Sequence, residues 1–306
     1  MKPCAYKLVW LAAFNAALGM AFLVLVDMGR DLDQCQTDSV LLAMPQDTQF
    51  DLAILGSSRA KLFTRIRPNI ECLERTLGTR VFGMATPFGG GIVPAKLYLD
   101  SFYAQGNRAD TVLLFLDPFM LFCRGPNEGH KLVYWEPFRF SFFVRMVREG
   151  FDYRRLVTYI RSKFLWNHIA QKPIELGRHD ETLSSDLLDP ERMSMRMNSL
   201  YPDGLDPAQF TRYAKTLRDV IATGQRQGAR MIIAFAPTLL GDDPGRPMVA
   251  AFLDELQAQH EFEVYDFTHA VADPGLFADY DHLNSAGVEE FVSRTLKPLL
   301  RGQNQQ

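Results

Sequence analysis

Residues 50–59 read FDLAILGSSR. The apolar run that ends at Leu55 is short and is followed by a glycine, which is typical of a buried strand that leads into a sharp turn. Ser57 and Ser58 therefore stand at the carboxyl end of a strand. In open α/β sheets ligands bind at this edge. The passage predicts a central strand and also the position of a site.

Four further apolar runs have the same strand-like character, and they lie at 80–84, 111–116, 230–235 and 262–267. Helical patterns separate most of these runs, at 68–77, 94–105, 207–227, 247–259 and 285–300. Continuous apolar strands that alternate with helices indicate a parallel sheet covered on both faces. We therefore predict an α/β fold over 49–302, a flavodoxin-like three-layer α/β/α arrangement with a mostly parallel five-stranded sheet.

The amino terminus has the composition of a membrane segment. Residues 8–26, LVWLAAFNAALGMAFLVLV, carry no charge. About 19 residues at a rise of roughly 1.5 Å come close to the ~30 Å of a hydrocarbon core. Lys2 and Lys7 precede the segment, so the positive-inside rule places the following chain outside the cytoplasm. We predict a single-pass anchor over 1–27 in the cytoplasmic (inner) membrane, with an extracytoplasmic or periplasmic domain. A cleaved signal peptide and a buried core helix are the alternatives.

Two further regions lack strand patterns. Residues 28–48 are polar and are interpreted as a linker between anchor and domain. Residues 119 to about 205 are rich in aromatic and arginine side chains, and we expect a helical insertion that caps the carboxyl edge of the sheet. The aromatic residues can form the core of this cap, with the arginines on its solvated face. The alternative is a basic, aromatic surface that rests on anionic lipid.

Composition argues against several kinds of partner. The net charge is −3 and there is no long basic run, so nucleic acid is not an expected partner. Neither a CxxC motif nor a Cys/His cluster suggests a metal, and no cofactor is expected. An oxidising compartment would permit one disulfide among Cys35, Cys72 and Cys123, and three unpaired cysteines are the alternative.

The second candidate motif, at 279–284, reads DYDHLN and lies between the fifth strand and the last helix. A serine nucleophile needs a neutral imidazole to take its proton and a carboxylate to fix the tautomer of that imidazole. Asp279 and His282 are three residues apart and can project from one loop. This loop and the loop of Ser58 can share one edge of the sheet, so a Ser58, His282 and Asp279 triad is predicted. Asp281 is an alternative carboxylate, although its spacing to the histidine is short.

The pairing of Gly-Ser-Ser after the first strand with Asp-x-x-His before the last helix resembles the SGNH/GDSL hydrolase superfamily. The first block of that superfamily is usually Gly-Asp-Ser, and Ser57 stands here in place of the aspartate. This variant is similar to SGNH-like proteins of cell-envelope acyl transfer, among them the alginate and cellulose acetylation proteins and the membrane-anchored protein of teichoic-acid D-alanylation. The resemblance covers roughly 50–118 and 207–300.

The resemblance implies roles for the site residues. Ser58 would be the nucleophile, His282 the base and Asp279 its carboxylate. The oxyanion would be bound by the N–H of Ser58 and by a glycine of the Gly89-Gly90-Gly91 turn, where backbone amides can approach a substrate.

Arg59, Asp117 and Asn284 complete the predicted site as substrate contacts. Arg59 can orient an anionic group or simply begin a helix, and Asn284 can instead cap the last helix. The third-block asparagine of the superfamily is not evident, because the third strand ends in Asp117 and Pro118. A carboxylate does not donate to an oxyanion unless it is protonated, and losing one donor costs about 10²–10³ in turnover. This departure favours a slow transferase or a weak esterase.

The expected function is therefore transfer or hydrolysis of O-acyl groups, chiefly acetyl, on a cell-envelope or exported polysaccharide through an acyl-serine intermediate. The resemblance implies a membrane-bound O-acyltransferase as partner, which passes the acyl group across the bilayer. The alternative is a catalytically degenerate SGNH-like scaffold or polymer-binding subunit of an envelope modification or export complex. A flavodoxin-like binding domain ranks third, because no glycine-rich phosphate loop follows the first strand.

Overall fold

One sheet of five parallel strands forms the centre of the part of the chain that the structure describes. The computed structural model describes residues 3–27, 32–85, 90–129, 134–165, 169, 173–174, 177, 179–184 and 188–301. The strands are β1 (Gln49–Gly56), β2 (Val81–Ala85), β3 (Arg108–Phe115), β4 (Arg230–Phe235) and β5 (Glu263–Asp266). Their order is β2-β1-β3-β4-β5, and every neighbouring pair is parallel. The predicted α/β class with its five-stranded sheet is confirmed.

Helices connect the strands and flank the sheet. They are α1 (Pro3–Asp27), α2 (Val40–Ala43), α3 (Ser58–Thr64), α4 (Arg67–Leu77), α5 (Ile92–Ala104), α6 (Arg124–Glu128), α7 (Phe140–Arg148), α8 (Tyr153–Ser162), α9 (Pro190–Leu200), α10 (Pro207–Arg226), α11 (Arg246–Gln257), α12 (Ser285–Phe291) and α13 (Lys297–Arg301). A π-helical turn, Val292–Leu296, joins the last two. Single 3₁₀ turns lie at Pro118–Leu121 and Pro274–Leu276.

Each face of the sheet has its own core, because successive side chains of a strand point to opposite faces. In β1, Ala53 and Leu55 belong to one core, which α5, α10 and α11 cover. Leu52 and Ile54 belong to the other core, which α3, α4 and α12 cover. The three layers place the carboxyl ends of β1 and β3 and the start of α12 within reach of one another.

The turn after β1 requires a glycine. Gly56 has φ of +148°, and a Cβ there would lie 2.8 Å from the Cβ of Ala60 and 2.9 Å from the carbonyl oxygen of Phe115. The side chain of Ser57 then caps α3 by accepting the N–H of Arg59 at 3.3 Å. Ser58 is consequently the first residue of a helix at the carboxyl edge of the sheet.

The expectation of a linker over 28–48 is wrong for its described part, 32–48. Val40 and Leu41 are buried in the core beside α5. Glu136 of the insertion is 2% exposed and accepts the N–H groups of Val40 at 3.0 Å and Leu41 at 2.9 Å. A buried carboxylate therefore holds the first turn of α2, and this segment is part of the domain.

The insertion between β3 and α10 is helical in its described residues, with α6 to α9. Part of its aromatic and apolar content is core, since Phe142 and Tyr159 are at most 1% exposed and pack with Met146. Another part faces outward, with Phe140 67% and Tyr153 70% exposed. The aromatic residues therefore divide between a buried group and an exposed group, and the expected contact of the exposed group with lipid stays a prediction.

Helix α1 contains a 21-residue stretch, Tyr6–Val26, with a mean hydropathy of 2.2. It is long and apolar enough to cross a membrane. A signal sequence near the amino terminus can have the same length and composition. Only 6% of its most apolar window is buried, whereas a core helix of a soluble protein is mostly buried. Its carboxyl-terminal part contacts the insertion, where the rings of Phe22 and Phe164 stack with centroids 6.3 Å apart.

The three cysteines among which the sequence permits one disulfide are all free. Cys35, Cys72 and Cys123 are buried, and none is bonded to another. Burial raises the pKa of Cys35 to about 11 and that of Cys123 to about 12, so both thiols stay protonated. No disulfide among these three contributes to the fold.

Candidate active site

The structure brings Ser58, His282 and Asp279 together at the carboxyl edge of the sheet. The Oγ atom of Ser58 lies 2.8 Å from Nε2 of His282. The other ring nitrogen, Nδ1, lies 2.9 Å from each carboxylate oxygen of Asp279. Because a carboxylate only accepts, the Nδ1 atom carries the proton and Nε2 is left free to accept from the serine hydroxyl. This is the order of groups that activates a serine for attack on a carbonyl carbon.

The histidine loop is rigidly held by its own hydrogen bonds. Oδ1 of Asp279 accepts the backbone N–H groups of Asp281 and His282, both at 2.9 Å. Ala278 donates its N–H to the carbonyl oxygen of His282 at 2.8 Å. Asp279 therefore fixes the backbone of the loop and the ring of His282 at once, so that the imidazole is held in one orientation.

The charges of the site act on the two titrating members of the triad. Burial lowers the pKa of His282, but the hydrogen bond to Asp279 and the negative charge of Asp281 outweigh it, and the net pKa lies above 6.5. Burial raises the pKa of Asp279, yet the hydrogen bond from His282 and the backbone donors bring the net pKa well below its usual range. Asp279 stays ionised at neutral pH, and the unprotonated, basic form of His282 grows as pH rises.

Arg59 lies between two carboxylates and is only 8% exposed. Its Nη1 is 2.8 Å from Oδ1 of Asp117, and its Nη2 is 3.3 Å from Oδ2 of Asp281. Burial lowers the pKa of Arg59, but the charges of these carboxylates more than offset it and the net pKa is raised. The arginine thus stays charged and bridges the end of β3 to the histidine loop.

Asp117 lies underneath the nucleophile turn and is 1% exposed. The hydroxyl of Ser57 donates to its Oδ2, while Arg59 pairs with its Oδ1. Both oxygens face donors, so the carboxylate acts as an acceptor and supports the turn. Arg59 and Asp117, predicted as substrate contacts, contact each other and neighbouring side chains in the structure, and their contact with substrate stays a prediction.

Asn284, predicted as a substrate contact, is a helix cap in the structure. It is 3% exposed, and its Oδ1 accepts the N–H of Gly287 at 2.9 Å at the start of α12. Its Nδ2 donates to the carbonyl oxygen of Gly275 at 2.9 Å. The polar atoms of the side chain are therefore used in holding the 3₁₀ turn against α12.

Of the predicted oxyanion donors, the structure describes Ser58 and Gly90 but not Gly89. The N–H of Ser58 is at the first position of α3, among the amides that a helix leaves unpaired, and within the described residues no acceptor bonds to it. Gly89 lies outside the described residues, and Gly90 is described and buried. Gly91 donates its N–H to the carbonyl oxygen of Pro126 at 3.0 Å, so that amide serves the structure.

A cavity of about 340 Å³ opens beside Ser58. The core domain contributes Ser58, Arg59 and Asp281 to its wall, and the insertion contributes Pro126, Arg196 and Ser199. Arg196 of α9 donates from Nε to Oδ1 of Asp281 at 3.0 Å and from Nη2 to Oδ2 at 2.9 Å. Sequence reasoning missed Arg196, because no motif surrounds it and only the folded chain brings it to the histidine loop.

Asp279, Asp281 and His282 also have donor atoms within 4.8 Å of one another, a spacing that a metal ion could use. The donors are already occupied, however. Arg196 and Arg59 bind Asp281, and both oxygens of Asp279 face Nδ1 of His282. The arrangement fits a serine, histidine and carboxylate triad better than a cation site.

Comparison with known proteins gives a distant likeness. No family model matches the chain, and no curated protein matches it. Among solved structures, the chain is similar to an acetyl xylan esterase from the rumen bacterium Butyrivibrio proteoclasticus, with a TM-score of 0.40 and 9% sequence identity. The match covers 85% of this chain and 65% of that chain, so the chain spans under two thirds of the length of that structure. A likeness this distant carries no conclusion about activity.

Proposed function

We propose that this chain is a membrane-anchored, extracytoplasmic serine acyltransferase or carbohydrate esterase of the SGNH type, acting on O-acyl groups, chiefly acetyl, of an envelope or exported polysaccharide. The observation that carries the proposal is the hydrogen-bonded series from Ser58 through His282 to Asp279, with 2.8 Å and 2.9 Å between successive partners. This order of groups is the one by which serine hydrolases of unrelated folds activate the hydroxyl for acyl transfer.

In the proposed reaction, Nε2 of His282 takes the proton of Ser58 as Oγ attacks the acyl carbonyl carbon. The negative charge moves to the carbonyl oxygen, towards which the unpaired N–H of Ser58 can donate. The protonated imidazole, stabilised by Asp279, gives its proton to the departing alcohol, and an acyl-Ser58 ester remains. A second alcohol or a water molecule then attacks this ester, with His282 as base, and regenerates the serine.

Two features favour transfer to a sugar hydroxyl over efficient hydrolysis. Asp117 provides no hydrogen-bond donor to an oxyanion at the position where the superfamily has an asparagine. The N–H of Gly91 donates to the carbonyl oxygen of Pro126 and is not available to a substrate. Fewer oxyanion donors mean slower turnover. The cavity wall combines polar groups of Arg196 and Ser199 with the ring of Phe119, which suits a hydroxyl-bearing acceptor.

The proposed anchor is α1. Leu8, Phe14 and Leu25 expose 62%, 64% and 67% of their surface, which is unfavourable in water and favourable in lipid. Near the carboxyl end of the helix, on another side from Leu25, Leu23 is 3% exposed and Phe22 stacks on Phe164, so the helix contacts the domain. These contacts favour an uncleaved anchor. A membrane-bound O-acyltransferase would then supply acyl groups next to the site.

The second candidate is a non-catalytic scaffold or polymer-binding subunit. The absence of a donor at Asp117 is the observation that favours it, because an incomplete oxyanion hole is what a degenerate esterase would retain. The triad geometry would then be a remnant, and binding of polymer would not depend on Ser58.

An acyl-transfer assay separates these proposals. Full-length protein in detergent would be mixed with a chromogenic aryl acetate, with and without an acetyl-free oligosaccharide. Acetylated oligosaccharide, detected by mass spectrometry, supports transfer, and release of acetate alone supports an esterase. If the wild-type protein forms neither acetylated oligosaccharide nor acetate, the transferase and esterase proposals are both contradicted and the scaffold proposal is supported. Ser58→Ala must abolish the activity, whereas Ser293→Ala, an exposed serine that does not line the cavity, must retain it.

A further inference from the structure

Helix α8 of the insertion carries an exposed apolar stripe. Tyr153, Val157, Ile160 and the following Phe164 are 70%, 55%, 39% and 47% exposed. Their spacing of four, seven and eleven residues puts them on one face of the helix. The opposite face is buried through Tyr159, which is 0% exposed and packs into the core. The helix is thus fixed to the domain and presents a second apolar face outward, which monomeric soluble proteins rarely do.

This stripe continues onto α1. The ring of Phe164 stacks on that of Phe22 with an interplanar angle of 11°, and a Cβ at Gly19 would be 3.7 Å from the same phenylalanine ring. These contacts lie five to eight residues before the end of α1 at Asp27. At 1.5 Å per residue, Phe164 lies about 8–12 Å inside that end of the helix. An interfacial helix buries its apolar face to a similar depth, about 5–10 Å.

The charges along one flank of the stripe are basic. Arg154 and Arg161 are exposed on α8, seven residues apart, and lie along one flank of the stripe. The guanidinium of Arg154 is 5.8 Å from the ring centroid of Tyr153, so a cation borders the apolar surface directly. Arginines next to an apolar face match the phosphates that border the acyl chains of a bilayer.

We propose that α8 lies in the extracytoplasmic interface of the bilayer, with Tyr153, Val157, Ile160 and Phe164 among the acyl chains and Arg154 and Arg161 at anionic phospholipid headgroups. This rests on the proposed anchoring by α1, but adds a second, independent contact. A single membrane-spanning helix would let the domain rotate about the helix axis, whereas a second contact at α8 fixes the orientation of the domain. The domain is therefore held in one orientation relative to the membrane, and the Ser58 cavity stands at a fixed height above the surface.

The test is quenching of a fluorophore by brominated lipid in full-length protein. A Val157→Cys variant in a Cys4→Ser background would be labelled with an environment-sensitive dye and reconstituted in vesicles of phosphatidylcholine and phosphatidylglycerol. The remaining native thiols are buried. Brominated acyl chains should remove most of the Val157 signal. Met248→Cys, 40% exposed on α11 between β4 and β5, is the matched control and should keep its signal.

A third position keeps this proposal separate from the anchor itself. Leu18→Cys, 58% exposed on α1, must be quenched if α1 spans the bilayer. Quenching at Leu18 without quenching at Val157 overturns the α8 proposal and leaves the anchor standing. An absence of quenching at both positions overturns the anchor and this inference together. In a second variant, Ile160→Asp should reduce quenching at Val157, since a charge in the stripe opposes insertion; unchanged quenching would count against the stripe.

Discussion

Arg196 binds both carboxylate oxygens of Asp281, at 3.0 Å and 2.9 Å, and so ties the insertion to the histidine loop. Asp281 in turn lies 3.6 Å from Nδ1 of His282 and is 3% exposed. The arginine therefore acts on the base through the carboxylate that it neutralises. In the proposed mechanism Arg196 would be a positioning residue rather than a member of the triad.

Removing this arginine should raise the pKa of His282 further. In Arg196→Gln the charge of Asp281 is less compensated, which favours the protonated imidazole, and the acid limb of the kcat/KM profile should move to higher pH. Arg192→Gln, an exposed arginine on the same helix, is the matched control and should leave the profile in place. A downward shift, or equal shifts in both variants, would contradict this role.

The wild-type pH profile follows from the same electrostatics. The catalytic base must be unprotonated, and the pKa of His282 is raised above 6.5 by Asp279 and Asp281 despite burial. Activity should therefore be low in acid, rise through a midpoint above pH 6.5 and level off beyond it. The measurement is kcat/KM against pH with an uncharged aryl acetate. A midpoint below 6.5 would mean that burial outweighs the two carboxylates.

Asp279→Asn should lower kcat by about 10⁴ while the protein remains folded. The amide can still accept the backbone N–H groups of the loop, but it does not stabilise the imidazolium ion that forms during attack. Asp273→Asn is a suitable control, because that residue accepts the N–H of Gly275 at 2.9 Å, which an asparagine does equally well. Steady-state kinetics with circular dichroism would check both variants, and near wild-type kcat in Asp279→Asn would exclude this assignment.

Glu136→Ala should destabilise the fold by about 3 kcal/mol. The variant leaves buried donors without an acceptor, including the amides of Val40 and Leu41 and the hydroxyl of Tyr98, which lies 2.7 Å from the carboxylate. Urea unfolding followed by fluorescence is the measurement. Glu181→Ala, an exposed residue of the same insertion, should change stability little. Equal effects of the two substitutions would show that 32–48 does not depend on this carboxylate.

The features of the fold that the sequence could predict are those determined by residues close together in the chain. The apolar run at 50–55 ends at Gly56 and specifies a buried strand by itself, and the structure has β1 there. The spacing of Asp279 and His282 is local too, and the order of strands and helices brings their loop to Ser58.

The features that sequence could not predict depend on residues far apart in the chain. The segment 32–48 looks polar and unattached because the acceptor for Val40 is 96 residues away. Arg196 is 85 residues from Asp281, and nothing around it signals the pairing. Asn284 is recognisable as a polar residue near a site, but its burial, and hence its capping role, depends on how the 3₁₀ turn packs against α12.

The most direct test of the central proposal is covalent trapping of the nucleophile. Full-length protein would be treated with a fluorophosphonate, digested and analysed by mass spectrometry. We expect a single adduct on the peptide containing Ser58, with loss of labelling in Ser58→Ala and in His282→Ala and retention in Ser293→Ala. An unlabelled wild-type protein, or an adduct that persists in Ser58→Ala, would contradict an acyl-serine mechanism at this site.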